Sequence, residues 1–246
     1  MWDWVSNPEI WIGFFTLVAL EIVLGIDNII FISILAGKLP EHQRDRARVL
    51  GLAAALISRL LLLFALSWVV GLKEPIFEVL GHAFSGRDLI LLGGGLFLLA
   101  KATIEIGHSM ELKSADQKQR KAASFASVIV QIMILDIVFS LDSVITAVGM
   151  VDELPVMIAA VIVSVIVMLV ASGPISRFVE KHPSIKMLAL AFLVLIGVVL
   201  VADGFGQHVS KGYIYFAMAF SLIVELLNIR VRTRRAKLEQ AEPKMD

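Results

Sequence analysis

The sequence predicts an all-α polytopic membrane protein with seven transmembrane helices, on three observations. Apolar residues make up 58% of the 246-residue chain and charged residues 18%, with mean hydropathy +0.86, far outside the averages of soluble domains. Most of the chain lies in apolar runs as long as the ~20 helical residues that cross a bilayer core. All seven prolines are expected outside these runs or at their ends, where a missing backbone N–H does least harm.

Each run has boundary signals. The first, about 9–36, follows Pro8; Met1-Trp2-Asp3-Trp4 lacks the basic stretch of a cleaved signal peptide, so this run is expected to stay as a helix. The second, about 47–71, ends before Lys73 and Pro75, and the third, about 88–107, carries Gly93-Gly94-Gly95. Those glycines read as close-packing residues, because no nucleotide-binding motif surrounds them. The fourth, about 123–150, follows a basic segment, and Pro155 and Pro174 bracket the fifth, about 155–173. The sixth, about 185–203, starts after Pro183, and the seventh, about 212–229, stops at Arg230.

Lysine and arginine set the orientation. The segments 37–48, 108–122 and 174–187 and the tail from Arg230 hold 17 of them, against three (Lys73, Arg87, Lys211) on the opposite side. Basic residues are retained in the cytoplasm, so the N-terminus is expected outside and the C-terminus inside. Residues 1–229 then form a transmembrane domain and 230–246 a basic cytoplasmic tail, which anchors the topology and attracts anionic lipid. The formal net charge of zero suggests neither nucleic acid nor a strongly charged partner, and the apolar runs make the lipid bilayer the partner. No cysteine occurs, which excludes disulfides and thiolate metal sites.

Glu21-x5-Asp27-Asn28 recurs 115 residues later as Asp136-x5-Asp142-Ser143, and Leu39-Pro40 recurs at the same offset as Leu154-Pro155. The chain therefore reads as two three-helix repeats, about 9–107 and 123–203, plus one extra helix. Three spans per unit invert the second repeat relative to the first. Inverted repeats with a midplane site recur in secondary transporters.

Carboxylates in hydrocarbon cost about 2.5–3.5 kcal/mol each on insertion scales, so four in register point to function. Glu21 and Asp136 fall near mid-span; Asp27 and Asp142 follow at about 9 Å along a straight helix and about 240° around it. That rotation predicts local kinks, at Gly25 in one motif and Ser140 in the other. Glu21, Asp27, Asn28, Asp136, Asp142 and Ser143 offer hard oxygen donors, suited to Mn²⁺, Mg²⁺ or Ca²⁺. Arg59, at the middle of the second span, is a candidate counter-ion or a structural partner, and one base does not neutralise four acids. Lys101 and Glu105 are expected to form a helical ion pair, and Asp203 and Glu225 to be solvated near the interfaces, with a place on an exit path as the alternative.

At these residues the chain resembles the TerC family of bacterial integral membrane proteins. The likeness runs through Glu21-Ile-Val-Leu-Gly-Ile-Asp27-Asn28, Leu135-Asp136-Ile-Val-Phe-Ser140-Leu-Asp142-Ser143, and the late run from His182-Pro183 through Lys211-Gly-Tyr-Ile-Tyr-Phe-Ala-Met to Glu225. It is nearest the short branch, which lacks appended cytoplasmic regulatory domains. The resemblance implies membership of the LysE transporter superfamily, a plasma (inner) membrane location and manganese export. It also implies metal coordination by Glu21, Asp27, Asn28, Asp136, Asp142 and Ser143. The family's link to tellurium resistance is expected to be indirect, because an acidic site disfavours an oxyanion.

The expected function is a secondary transporter that exports a divalent cation, Mn²⁺ first, from the cytoplasm. The cation is substrate; no cofactor and no enzymatic activity are expected. No ATPase motif is present, and two charges leaving against 100 mV cost about 4.6 kcal/mol, which favours counter-transport of protons. Rival readings are a membrane-embedded assembly factor for other membrane proteins, and a two-aspartate intramembrane protease whose Tyr-Asp and Gly-x-Gly-Asp motifs are missing here. An amino-acid cargo would need a carboxylate-binding group, for which Arg59 is the candidate.

Overall fold

Hydrocarbon offers a backbone no hydrogen-bond partner but itself, and the apolar runs accordingly fold as helices. The computed structural model describes residues 8–65, 71–79, 81–110, 124–148, 151, 153–207 and 209–241. Among them run α1 (Pro8–Ala36), α2 (Glu41–Phe64), α3 (Gly86–Met110), α4 (Phe125–Val148), α5 (Leu154–Lys181), α6 (Pro183–Gly204) and α7 (Lys211–Ala241). Six of these are long and apolar enough to cross a membrane, and α4 contributes the shorter apolar stretch Phe125–Leu141.

Between α2 and α3, where only a loop is expected, lies an antiparallel hairpin of β1 (Pro75–Val79) and β2 (His82–Ser85). Gly81, with φ 78°, supplies the left-handed turn residue. Phe77 and Phe84 pair across the strands with ring centroids 5.4 Å apart, and Phe84 also meets Phe205 edge-on at 6.0 Å. The hairpin is thereby docked on the end of α6. Ser85 and Asp88 cap α3 reciprocally: the Asp88 N–H donates to Ser85 Oγ at 3.2 Å, and the Ser85 N–H donates to Asp88 Oδ2 at 2.9 Å.

Helix pairing is interleaved: α1 packs chiefly on α5, α2 on α4, and α3 on α6. Lipid supplies no hydrophobic drive between helices, so close approach by small residues matters most. At the α3–α6 crossing, a Cβ on Gly95 would stand 2.8 Å from the Gly197 carbonyl oxygen. Gly94 admits Val138 of α4 in the same way, whereas Gly93 faces open space.

The buried apolar residues form two clusters. The larger includes Ile29, Ile32, Leu52, Leu135, Val165 and Met168; the smaller includes Leu17, Leu63, Leu141, Val144, Val161 and Ala160. Along α1, α2, α4 and α5 alike, the chain passes from one cluster to the other. Among the residues between them are the buried polar side chains of Glu21, Asn28, Ser58, Arg59, Ser140 and Ser164, with Asp136 at the edge of the larger cluster. A polar layer thus lies between two apolar plugs.

Several expectations are corrected. Neither acidic motif is unwound, since α1 and α4 run through them as continuous helices. Gly25 serves close packing instead, because a Cβ there would collide with the Met168 thioether of α5. Pro174 lies inside α5, which continues to Lys181. Tertiary packing overrides the local break: Ser176 shares a hydrogen bond with Ser33 of α1, and Val179 is buried. Glu105 does not pair with Lys101, whose ammonium sits over Phe97. Its partners are Lys38, which follows α1, and Lys186 of α6, the latter at 3.6 Å. The chain after Arg230 continues α7 to Ala241. Asp203 is buried within the bundle rather than solvated at an interface.

Candidate functional site

The polar layer is built around Asp136 of α4. Arg59 of α2 reaches it with Nε at 3.1 and 3.3 Å from the two carboxylate oxygens and with Nη2 at 2.7 Å from Oδ1. The same guanidinium donates through Nη1 to Glu21 Oε2 of α1. Three helices are therefore joined by one cation between two anions. Arg59 is 3% exposed and both acids 4%, so water does not supply the missing charge.

The two acids are not equivalent. Asp136 also accepts from Ser58 Oγ (3.1 Å), Ser140 Oγ (3.2 Å) and Asn28 Nδ2 (3.4 Å). Glu21 accepts, among the described residues, from Arg59 alone. So many donors fix Asp136 in place. Glu21, with one described donor, is the more loosely held of the two.

Of the residues singled out by sequence, the structure brings Glu21, Asn28, Arg59 and Asp136 together. Ser143 lies one turn beyond Ser140 and donates to the Ser140 carbonyl at 3.2 Å. The side chains of Asp27 and Asp142 lie outside the described residues; their backbones belong to α1 and α4. Position 27 shares a helical stripe with Leu24, and position 142 with Val138 and Phe139. Ser58 was not anticipated, although its place beside Arg59 signals it. Ser140 was expected to bend α4, yet its hydroxyl turns to Asp136. Its i+4 spacing from that acid is the signal for the contact.

Two cavities adjoin this centre. One is bordered by Asn28, Leu52, Arg59, Asp136, Val165 and Met168. The other, about 70 Å³, lies between α1, α3, α4, α6 and α7 and also has Asn28 in its wall.

Comparison with known proteins follows the same residues. The integral membrane protein TerC family matches residues 6–240. The chain is 55% identical over 233 residues to a UPF0053 protein of Haemophilus influenzae, covering 94% of this chain and 98% of the relative. It is 53% identical over 238 residues to the UPF0053 inner membrane protein YgdQ of Escherichia coli, covering 97% and 100%. It is 57% identical over 227 residues to the UPF0053 inner membrane protein YoaE of the same organism, covering 92% of this chain but 44% of the relative. The chain thus spans less than half the length of YoaE. No solved structure matches.

Proposed function

This chain belongs to the integral membrane protein TerC family, and from that premise we propose that it is a secondary transporter of the inner membrane that exports a divalent cation, Mn²⁺ first, in exchange for protons. The observation that carries the reading is two buried carboxylates sharing one guanidinium in a polar layer closed by apolar plugs on both sides. Among the described residues the layer holds one more acid than base. That surplus invites a proton or a metal ion, and intramembrane acids of this kind mark ion pathways.

In this mechanism Arg59 occupies the acids when no cargo is bound. An arriving cation displaces the guanidinium from Glu21, whose only described donor is Arg59. Asp136, held by Ser58, Ser140 and Asn28, stays in place and anchors the site. Protons return on the same carboxylates after the cation leaves.

The repeat supplies the motion. Exchanging α1–α2–α3 for α4–α5–α6 leaves the pairing α1·α5, α2·α4 and α3·α6 unchanged, which supports an inverted repeat. Leu39-Pro40 precedes α2 and Leu154-Pro155 opens α5, at matching places. Rocking of one unit against the other would breach each plug in turn. Inner-membrane placement is supported by the names of the relatives, and an N-terminus outside by the lysine and arginine bias.

The test is metal flux in sealed liposomes with Mn²⁺, Ca²⁺ and Mg²⁺, with and without a pH gradient, beside Asp27→Asn/Asp142→Asn. Selective flux driven by the gradient and lost in the variant is expected. Folded protein that carries no cation under any condition would refute transport and favour the assembly-factor reading.

A further inference from the structure

Away from the central acids, the start of α2 and the end of α5 lie together, because α2 packs on α5 as well as on α4. Two arginines converge there on one glycine. A Cβ on Gly173 would stand 3.6 Å from Nη2 of Arg48 and 3.7 Å from Nη1 of Arg177. Two like charges so placed repel, and an anion between them turns the repulsion into attraction.

The nearby acids do not fill that role. Asp45 takes only Nη1 of Arg48, at 3.0 Å, and is itself 83% exposed. Glu180 is engaged by Arg44 at 3.4 Å. Arg177 has no acidic partner among the described residues. Nε of Arg48 is buried with no hydrogen-bond partner. This guanidinium, on a side chain only 14% exposed, is thus bound to fewer acceptors than its five N–H groups can serve.

The surroundings select the anion. Arg177 ends a stripe of α5 in which Val163, Val167 and Val170 are exposed at helical spacing. Leu50, Ile57 and Leu61 are likewise exposed along α2. On membrane-spanning helices such stripes face acyl chains, so the arginine pair stands where hydrocarbon gives way to headgroups. A free phosphate makes no use of the stripes, whereas a phospholipid occupies the stripes and the arginines together.

We propose that Arg48 and Arg177 form a binding site for the phosphate of an anionic phospholipid, seated over Gly173 with its acyl chains along α2 and α5. Guanidinium forks suit phosphate oxygens, which accept at about 2.7–2.9 Å, and one phosphate bridges the two nitrogens. The missing Cβ at Gly173 keeps the floor of the site open. The lysine and arginine bias assigns this end to the cytoplasmic leaflet, where anionic lipids attract basic groups. The site is separate from the basic end of α7, joins α2 to α5, and is independent of the cargo.

The experiment titrates the purified protein in neutral detergent with short-chain phosphatidylglycerol, phosphatidylcholine or inorganic phosphate. Bound lipid is read by native mass spectrometry and the melting midpoint by circular dichroism. Phosphatidylglycerol is expected to bind about ten-fold more tightly than phosphatidylcholine, whose choline cation the arginines repel, and to raise the midpoint. Inorganic phosphate at the same concentration should not raise it. Arg177→Gln, at an exposed position, and Arg48→Gln should each weaken phosphatidylglycerol about ten-fold. Arg177→Lys should recover part of the loss, and Arg232→Gln on α7 should change nothing. Equal affinity for the two lipids, unchanged affinity in folded Arg177→Gln, or an equal loss in Arg232→Gln overturns the site. A midpoint raised as far by inorganic phosphate as by phosphatidylglycerol shows a free-anion site and overturns the lipid assignment.

Discussion

Replacing Arg59 by glutamine isolates the interaction that organises the bundle. Arg59 makes three N–H···O contacts to Asp136 and one to Glu21. Hydrogen bonds to charged groups are worth about 1.5–3 kcal/mol each, but contacts sharing one guanidinium do not add. The working figure is the cost of breaking a buried ion pair from one side, about 3–5 kcal/mol. Arg59→Gln should lose that much in reversible unfolding by SDS in mixed micelles, followed by circular dichroism. If a cation competes with Arg59 for the acids, Mn²⁺ should restore the variant more than it stabilises wild type. Saturation at one hundred times Kd gives about 2.7 kcal/mol, more than half of the smaller loss. A further Asp136→Asn should abolish that recovery. A loss below about 1 kcal/mol would refute the pairing energetics. Equal gains from Mn²⁺ in variant and wild type would refute competition.

Two other perturbations follow from packing and charge. Gly95→Ala places a methyl group 2.8 Å from the Gly197 carbonyl and should cost about 1–3 kcal/mol. Gly93→Ala, facing open space two residues away, should cost nothing in the same unfolding assay; equal effects would refute the α3–α6 crossing. Glu105→Ala removes the partner of Lys38 and Lys186, each about a third exposed, and should lower stability by about 1–2 kcal/mol. An unchanged melting midpoint would show that this ion cluster holds nothing together.

The helices were legible because lipid leaves hydrophobic runs one outcome, and the prolines and basic residues mark where the runs stop. The acids were legible by their cost and their recurrence. What escaped was set by neighbours in space. The partner of Arg59 depends on which helices meet, and α2 meets α4 through contacts such as Gly51 against Ile132 that no local pattern announces. Gly25 reads as a hinge until Met168 arrives from α5. Pro174 reads as a terminus until α1 holds the next turn. The hairpin left a weak trace in Phe77 and Phe84 around Gly81, but two strands are too short to outweigh a loop reading. Asp203 looked interfacial because it ends its span; docking of the hairpin on Phe205 is part of what encloses that end.

Apolar plugs on either side of a polar layer also decide where an electric field falls. Water and polar groups screen the field, so a membrane voltage drops mainly across stretches of hydrocarbon-like packing. A unit charge crossing the whole drop exchanges about 2.3 kcal/mol per 100 mV. The layer at Glu21, Arg59 and Asp136 divides that drop into two parts, with Glu21 and Asp136 near the middles of α1 and α4. A charge reaching the layer from either face therefore traverses only part of the voltage. Occupancy of the layer is then voltage-sensitive by virtue of packing alone, with no mobile charged helix required.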